Sequence, residues 1–211
     1  MRIRLIEAAM IVFGERGVEA SVIDDITSLA GVSRGTFYNY FQTNEEALRA
    51  VSIVVGNELM IAVAPHVESH DDPAERISTG VRLWLMLIQK HPALGRFLSR
   101  AGLYVLEQDS RVREDLPRDL FLGIRSGRFT IEQLEIGFMI VAGTVLAAIS
   151  QITQNGPLPD NGNSVAERIL LALGVASEQA NEIARQPMVS LDFENESIIR
   201  RAEALASARH N

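Results

Sequence analysis

Between residues 33 and 40 the chain crowds Ser33, Arg34, Thr36, Tyr38, Asn39 and Tyr40 around Gly35, so hydroxyl, amide and guanidinium groups dominate one short stretch. Groups of this kind hydrogen-bond phosphates and base edges. Arg34 suits bidentate reading of a guanine and Asn39 suits an adenine, while Ser33, Thr36, Tyr38 and Tyr40 suit phosphate oxygens. Gly35 keeps one surface low enough for a duplex backbone to approach. The aromatic residues at 37, 38, 40 and 41 also admit a plainer reading, as the core of a small bundle with Ser33 only a helix cap.

Other chemistry is poorly supplied. His66 and His70 stand four apart with Glu68, Asp71 and Asp72 nearby, but Pro65 and Pro73 interrupt the segment and no apolar frame surrounds it, so a solvated helix end is expected and no metal site. The pairs Asp24-Asp25 and Glu45-Glu46 fall at helix starts, where dipole compensation accounts for them. No nucleophile elbow, no phosphate-binding glycine loop after a strand and no cysteine is present, so an enzyme is not expected, nor is a cofactor. The absence of cysteine excludes disulfides and fits a reducing compartment, with the cytoplasm the expected location. Net charge is −7, and residues 1–48 hold four basic against seven acidic side chains, net −3. Binding to a polyanion must then rest on local geometry rather than on a basic surface.

The elements that would position these groups are helices. Ile3, Ile6, Ala9, Met10 and Phe13 form a stripe on a first helix over about 2–16, stopped at Gly17. Ser21 and Asp24 form a capping pair for a second helix, with Ile26, Leu29 and Ala30 inward, and Gly31 ends it. Val32 and Ser33 open a third, short helix from Arg34 to about Phe41, its rear held by Phe37 and Phe41. Thr43-Asn44-Glu45-Glu46 caps a fourth, expected to end at Ala64 or His66 because Pro65 follows, and to link two units. Further helices are predicted near 73–89, 92–106, 111–126, 131–154, 164–173 and 177–186, with a last one between Glu194 and Ala208. No run alternates as a strand would, so the fold class is all-α. The most apolar run, Gly137 to Ile149, has 13 residues, short of a membrane span, and is expected to be a buried helix; the first residues show no export signal.

The stretch from Ser21 to Leu48, with Ala-Gly-Val-Ser, Gly-Thr-Phe-Tyr, Tyr-Phe and Asn-Glu-Glu-Ala-Leu in order and without insertion, closely resembles the DNA-binding motif of the tetracycline-repressor (TetR) family. The resemblance implies a helix-turn-helix domain over 1–47 and a ligand-binding and dimerisation domain over 48–211. It implies backbone contacts from Thr27 or Ser28 and from the start of helix four, where Asn44 stands in place of a lysine common in the family. It also implies a homodimeric, ligand-responsive regulator that binds double-stranded operator DNA.

One head reads only a few base pairs, so specificity requires two half-sites and a dimer. Gly143 and Ala147, four apart on the 131–154 helix, allow close approach of a partner, though they also suit packing inside one subunit. Val165, Ile169 and Leu173 lie on the helix that follows. By resemblance, two late helices per subunit form a four-helix bundle. The family pattern places a pocket for a small, drug-like or lipid-like hydrophobic effector among the middle helices; Trp84, Leu87, Phe97, Tyr104, Phe121 and Phe138 are its candidate lining, each also suited to plain core. The leading reading is a repressor released by that effector. An activator or ligand-insensitive regulator on the same fold, and a helical protein-interaction module, are the alternatives.

Overall fold

Apolar residues spaced three and four apart become helix almost throughout. In a computed structural model, which describes residues 1–17, 22–106 and 111–209, 76% of the described residues are helical and none is in a strand. The all-α class is therefore the observed one. The helices are α1 (Arg2–Arg16), α2 (Val22–Ala30), α3 (Arg34–Tyr38), α4 (Asn44–Glu68), α5 (Pro73–Lys90) and α6 (Pro92–Ala101), followed by a 3₁₀ turn at Gly102–Leu106. Then come α7 (Val112–Arg125), α8 (Leu134–Asn155), α9 (Asn163–Ala172), α10 (Ser177–Ala184) and α11 (Ile198–Arg209). The expected cap at Ser21 lies outside the described residues.

The expected end of the fourth helix changes. Helix α4 runs through Pro65 to Glu68 rather than stopping before it. A proline inside a helix strips the hydrogen bond from the carbonyl four residues back, here Ile61, and both Ile61 and Pro65 are exposed, so that carbonyl stands on the open side of the helix. Helix α8, Leu134–Asn155, lies close to the helix expected near 131–154, and both α4 and α8 are long and apolar enough by length and composition alone to cross a membrane. The cores of helical proteins contain such helices, and α8 buries Gly137, Phe138, Val141, Ala142, Val145, Ala148, Ile149 and Ile152 in its own unit.

Compactness gathers the described residues into two units, each built from separated stretches of the chain. The first unit gathers the described residues of Met1–Glu58, His91–Ser110 and Phe193–Asn211; the second gathers Leu59–Lys90 and Arg111–Asp192. In the first, α1 is buried on every side between Leu5 and Gly14, with α2, α6 and α11 packed against it. Its expected stripe is accordingly too narrow, and Ile3 is exposed. Gly14 lets α6 come close, since a Cβ there would stand 3.0 Å from the Phe97 nitrogen. Helix α11 is fastened by several polar contacts. The Glu58 carboxylate accepts the Ile198 and Ile199 N–H groups at 2.9 and 3.3 Å, Arg201 Nε donates to Glu7 at 2.5 Å, and Glu203 meets His91 Nδ1 at 2.7 Å.

In the second unit α5 packs against α7, α8, α9 and α10. The buried Arg82 guanidinium ties α5 to the start of α9 and to the segment after α10, donating to Asn163 Oδ1 at 2.9 Å and to the Gln186 carbonyl at 2.7 Å; burial lowers its pKa. Arg76 on α5 reaches Asp119 on α7 at 2.8 Å. Asp72, just before α5, is gripped by Arg128, whose Nε and second terminal nitrogen approach its two oxygens at 2.9 to 3.0 Å. Burial works against the charge on Asp72, but the Arg128 hydrogen bonds, the Ala74 N–H and the neighbouring positive charge outweigh it, and its pKa falls below the ordinary value.

A depressed folded-state pKa gives stability that is fully present above the unfolded value of about 4 and is lost as pH falls through the folded one. Asp72→Asn is therefore expected to cost roughly 1 kcal/mol near neutral pH, a modest figure because the pair is partly exposed, with the difference from wild type closing below about pH 4. Urea titrations of both proteins at neutral and acid pH measure it; equal stability at neutral pH would refute the assignment.

Candidate nucleic-acid interface

The turn between α2 and α3 is built from a glycine that takes a conformation costly for other residues. Gly31 sits at φ +64°, the Val32 N–H returns to the Thr27 carbonyl at 2.9 Å, and the Gly31 N–H returns to Ser28 at 3.1 Å. These are the two bonds of a Schellman cap. The chain is then launched directly into α3, where Ser33 is the N-cap and its Oγ accepts the Thr36 N–H at 3.1 Å. Helix α3 is shorter than expected, ending at Tyr38, but the Phe41 N–H still bonds the Phe37 carbonyl at 2.9 Å, so both rings face the same way. Phe37 and Phe41 are fully buried with ring centroids 5.6 Å apart, and the Arg2 guanidinium lies over the Phe41 ring.

With the rear so anchored, Ser33, Arg34, Gly35 and Asn39 stand exposed and Thr36 half-buried. Tyr38 and Tyr40, which core packing would also have suited, are 42% and 40% exposed. Thr43 Oγ1 caps α4 by accepting the Glu46 N–H at 3.1 Å, and the Glu46 carboxylate reaches back to the Gln42 N–H at 2.7 Å rather than to Thr43. Ser28 is exposed and Asn44 half-buried, with its Oδ1 buried and without a hydrogen-bond partner. Thr27 is corrected: it is 4% exposed and its hydroxyl donates to the Asp24 carbonyl at 3.2 Å, so it faces the interior of the unit. Its neighbour Ser28 is the α2 hydroxyl that stands outside.

Arg34 is not isolated, a feature missed in reading the residues. Its Nε lies 3.2 Å from Asp24 Oδ1 on α2, while Asp25 takes Arg16 at 2.6 Å. Two adjacent carboxylates at a helix start were explained by the dipole alone; the signal for more was a single arginine opening the next helix.

The other expected sets fare unevenly. Trp84, Leu87 and Phe138 are buried in the second unit, where Arg113 covers the Phe138 ring at 4.7 Å. Phe121 is half exposed on α7. Phe97 and Tyr104 belong to the first unit, where Phe97 packs on α1 at Gly14, so the six are not one lining set within one unit. Gly143 and Ala147 are exposed and Val165 half-buried, whereas Ile169 and Leu173 are corrected to core of the second unit, at 1% and 0% exposure. Ile136 and Met139, two turns and one turn before Gly143, add exposed apolar surface to α8. His70, weighed as a metal ligand, has Glu75 and Thr79 each at 3.2 Å, and among the described residues no group of three or more acidic or histidine side chains could hold a metal.

Residues 5–51 match the model of bacterial regulatory proteins of the tetR family, and residues 72–186 match the tetracyclin repressor-like C-terminal domain. The chain belongs to the TetR family. The TetR match spans more than half of the sequence, and the solved structure of RolR in complex with resorcinol extends it, being 32% identical over 90% of this chain and 95% of that one, with a TM-score of 0.74. The Bacillus subtilis regulator FadR in complex with stearoyl-CoA shares the TetR fold at 19% identity, covering 84% of this chain and 99% of its own, with a TM-score of 0.66. An HTH-type transcriptional regulator of Mycobacterium tuberculosis is 32% identical over 101 residues, 46% of this chain. The chain spans about half the length of the curated relatives it first matches.

Because the polar side of α3 is held outward by two buried rings, Phe37→Ala is expected to destabilise the protein by about 3–5 kcal/mol. Ser33→Ala, which removes only the cap, should cost about 1 kcal/mol. Chemical denaturation of the two variants checks the order; equal, small effects would mean that the rings do not anchor the helix.

Proposed function

We propose that this TetR-family transcriptional regulator is a repressor that binds a palindromic operator as a homodimer and is released by a small, largely apolar effector. The observation that carries the DNA reading is the exposure of Ser33, Arg34, Gly35, Tyr38, Asn39 and Tyr40 on a short helix whose Phe37 is wholly buried. Arg34 reads a guanine, Asn39 an adenine, and Ser28, Ser33, Thr36, Tyr38, Tyr40 and the start of α4 at Asn44 hold phosphates. With no surplus of basic residues in the first 48, a single head binds weakly, and two heads joined in one particle are required.

The second copy docks on the open face of α8, where Ile136, Met139, Gly143 and Ala147 present an apolar strip whose small residues allow close approach, with the half-buried Val165 of α9 a further contact. Effector binding is supported by RolR, whose structure holds resorcinol. In this chain the effector occupies the second unit beside Trp84, Leu87 and Phe138, and shifts the population toward a dimer whose heads no longer fit successive grooves. Helix α4 contributes residues to both units and is the continuous element through which the shift reaches α3. Acting on operator DNA, the protein works in the cytoplasm.

Gel-shift and sedimentation measurements test these steps. Retention of the operator duplex should fall steeply as salt rises; salt-insensitive or absent retention would favour a protein-interaction module instead. Gly143→Arg, at a position where an added Cβ meets nothing within 4 Å, should fold normally yet sediment as a monomer and lose roughly 100-fold or more in operator affinity. An unchanged dimer would remove α8 from the interface.

A further inference from the structure

Asp24 and Asp25 open α2 side by side but do different work. Asp25 holds Arg16, the last residue of α1, at 2.6 Å and so ties two helices of the first unit together. Asp24 reaches across the Gly31 turn to the first residue of α3, placing Oδ1 3.2 Å from Arg34 Nε. The two side chains of this second pair are 63% and 61% exposed, so neither fills a core. An exposed pair of this kind adds little to stability, and a role in holding the fold does not explain it.

Its geometry does suggest a role in reading. A guanidinium offers Nε and two terminal nitrogens, and a carboxylate on Nε leaves the terminal fork unspent. That fork is the edge that pairs with O6 and N7 of guanine. The carboxylate also stands where a phosphate would approach Arg34 from the side, and like charges repel. We propose that Asp24 is a positioning and selectivity residue: it aims the terminal fork of Arg34 at a base edge and denies that arginine to phosphates of arbitrary sequence. The proposal rests on the assignment of α3 as the helix that enters the major groove. It also accounts for acidic residues beside a DNA-facing surface in a segment already short of positive charge.

Repulsion and aim predict opposite changes on two kinds of DNA, which loss of structure does not. Duplexes enriched by the wild-type protein from a pool with a randomised core supply the specific probe, and a shuffled duplex of the same composition supplies the other. Asp24→Asn should bind the shuffled duplex more tightly, by roughly 2- to 5-fold at low salt, because a charge facing the phosphates is gone. It should bind the enriched duplex with a preference reduced by roughly 3- to 10-fold per head, the cost of ordering a released arginine. In an Arg34→Ala background the substitution should cause no further loss of preference. Weaker binding of both duplexes in equal measure, or an undiminished preference in Asp24→Asn, would overturn the proposal. Failure of the underlying assignment is visible separately, as a wild-type protein that enriches no duplex or an Arg34→Ala variant that keeps its full preference.

Discussion

A helix of five residues has too few internal hydrogen bonds to hold its own shape, so α3 takes its position from what lies behind it. Phe37 and Phe41 supply that support, one helical turn apart and buried to the last few square ångströms. The Gly31 turn decides which way they point, because two backbone bonds end α2 and release the chain at a fixed angle. Ser33 then captures the Thr36 amide and starts the next helix at once. Each polar group that faces outward does so as the complement of a ring that faces inward. Stability and reading therefore share one physical source, and a substitution behind the helix is felt in front of it.

Electrostatics sets the second condition. A chain of net charge −7 has no long-range attraction to a polyanion, and the reading segment is itself acidic. Affinity has to come from short-range hydrogen bonds and, in the proposed dimer, from pairing of heads, both of which discriminate between sequences more than a basic surface would. In the role proposed for it, Asp24 against Arg34 follows the same logic, since the pair gives up general attraction and keeps direction. In the proposed dimer the open apolar face of α8 belongs to this balance: a weak head is useful only where a second copy doubles it.

Much of this was legible in the residues because it is local. The caps at Ser33 and Thr43, the stop at Gly31 and the inward spacing of Phe37 and Phe41 are properties of neighbours in sequence, and the family resemblance rested on the same stretch. What was not legible depends on a third element. Thr27 reads as an exposed hydroxyl on a short helix, but its burial is set by how α2 packs on α1. Ile169 and Leu173 share a helical face with Val165, yet that face is turned into the second unit, where Ala166 and Leu170 are also buried. Pro65 interrupts a pattern only if its turn of helix must be covered, and there it is open.

The least legible feature is the fastening of α11. Phe193 to Arg209 lie beyond both segments matched by the family models, and by position they would be taken for an appendage of the larger domain. They belong instead to the unit that carries α3. The reason lies in α1, which is apolar around most of its circumference and needs partners on more sides than α2 and α6 provide. Ile199, Ala202 and Ala206 are buried in this way, and Phe193 packs its ring on His91. The ion pair between Arg201 and Glu7, and the capping of α11 by Glu58, then set the register of a helix whose small alanines would otherwise allow it to slide. A head that looks complete in its first 48 residues is thus closed by residues 193–209, at the cost of a contact between distant parts of the chain that no local pattern announces.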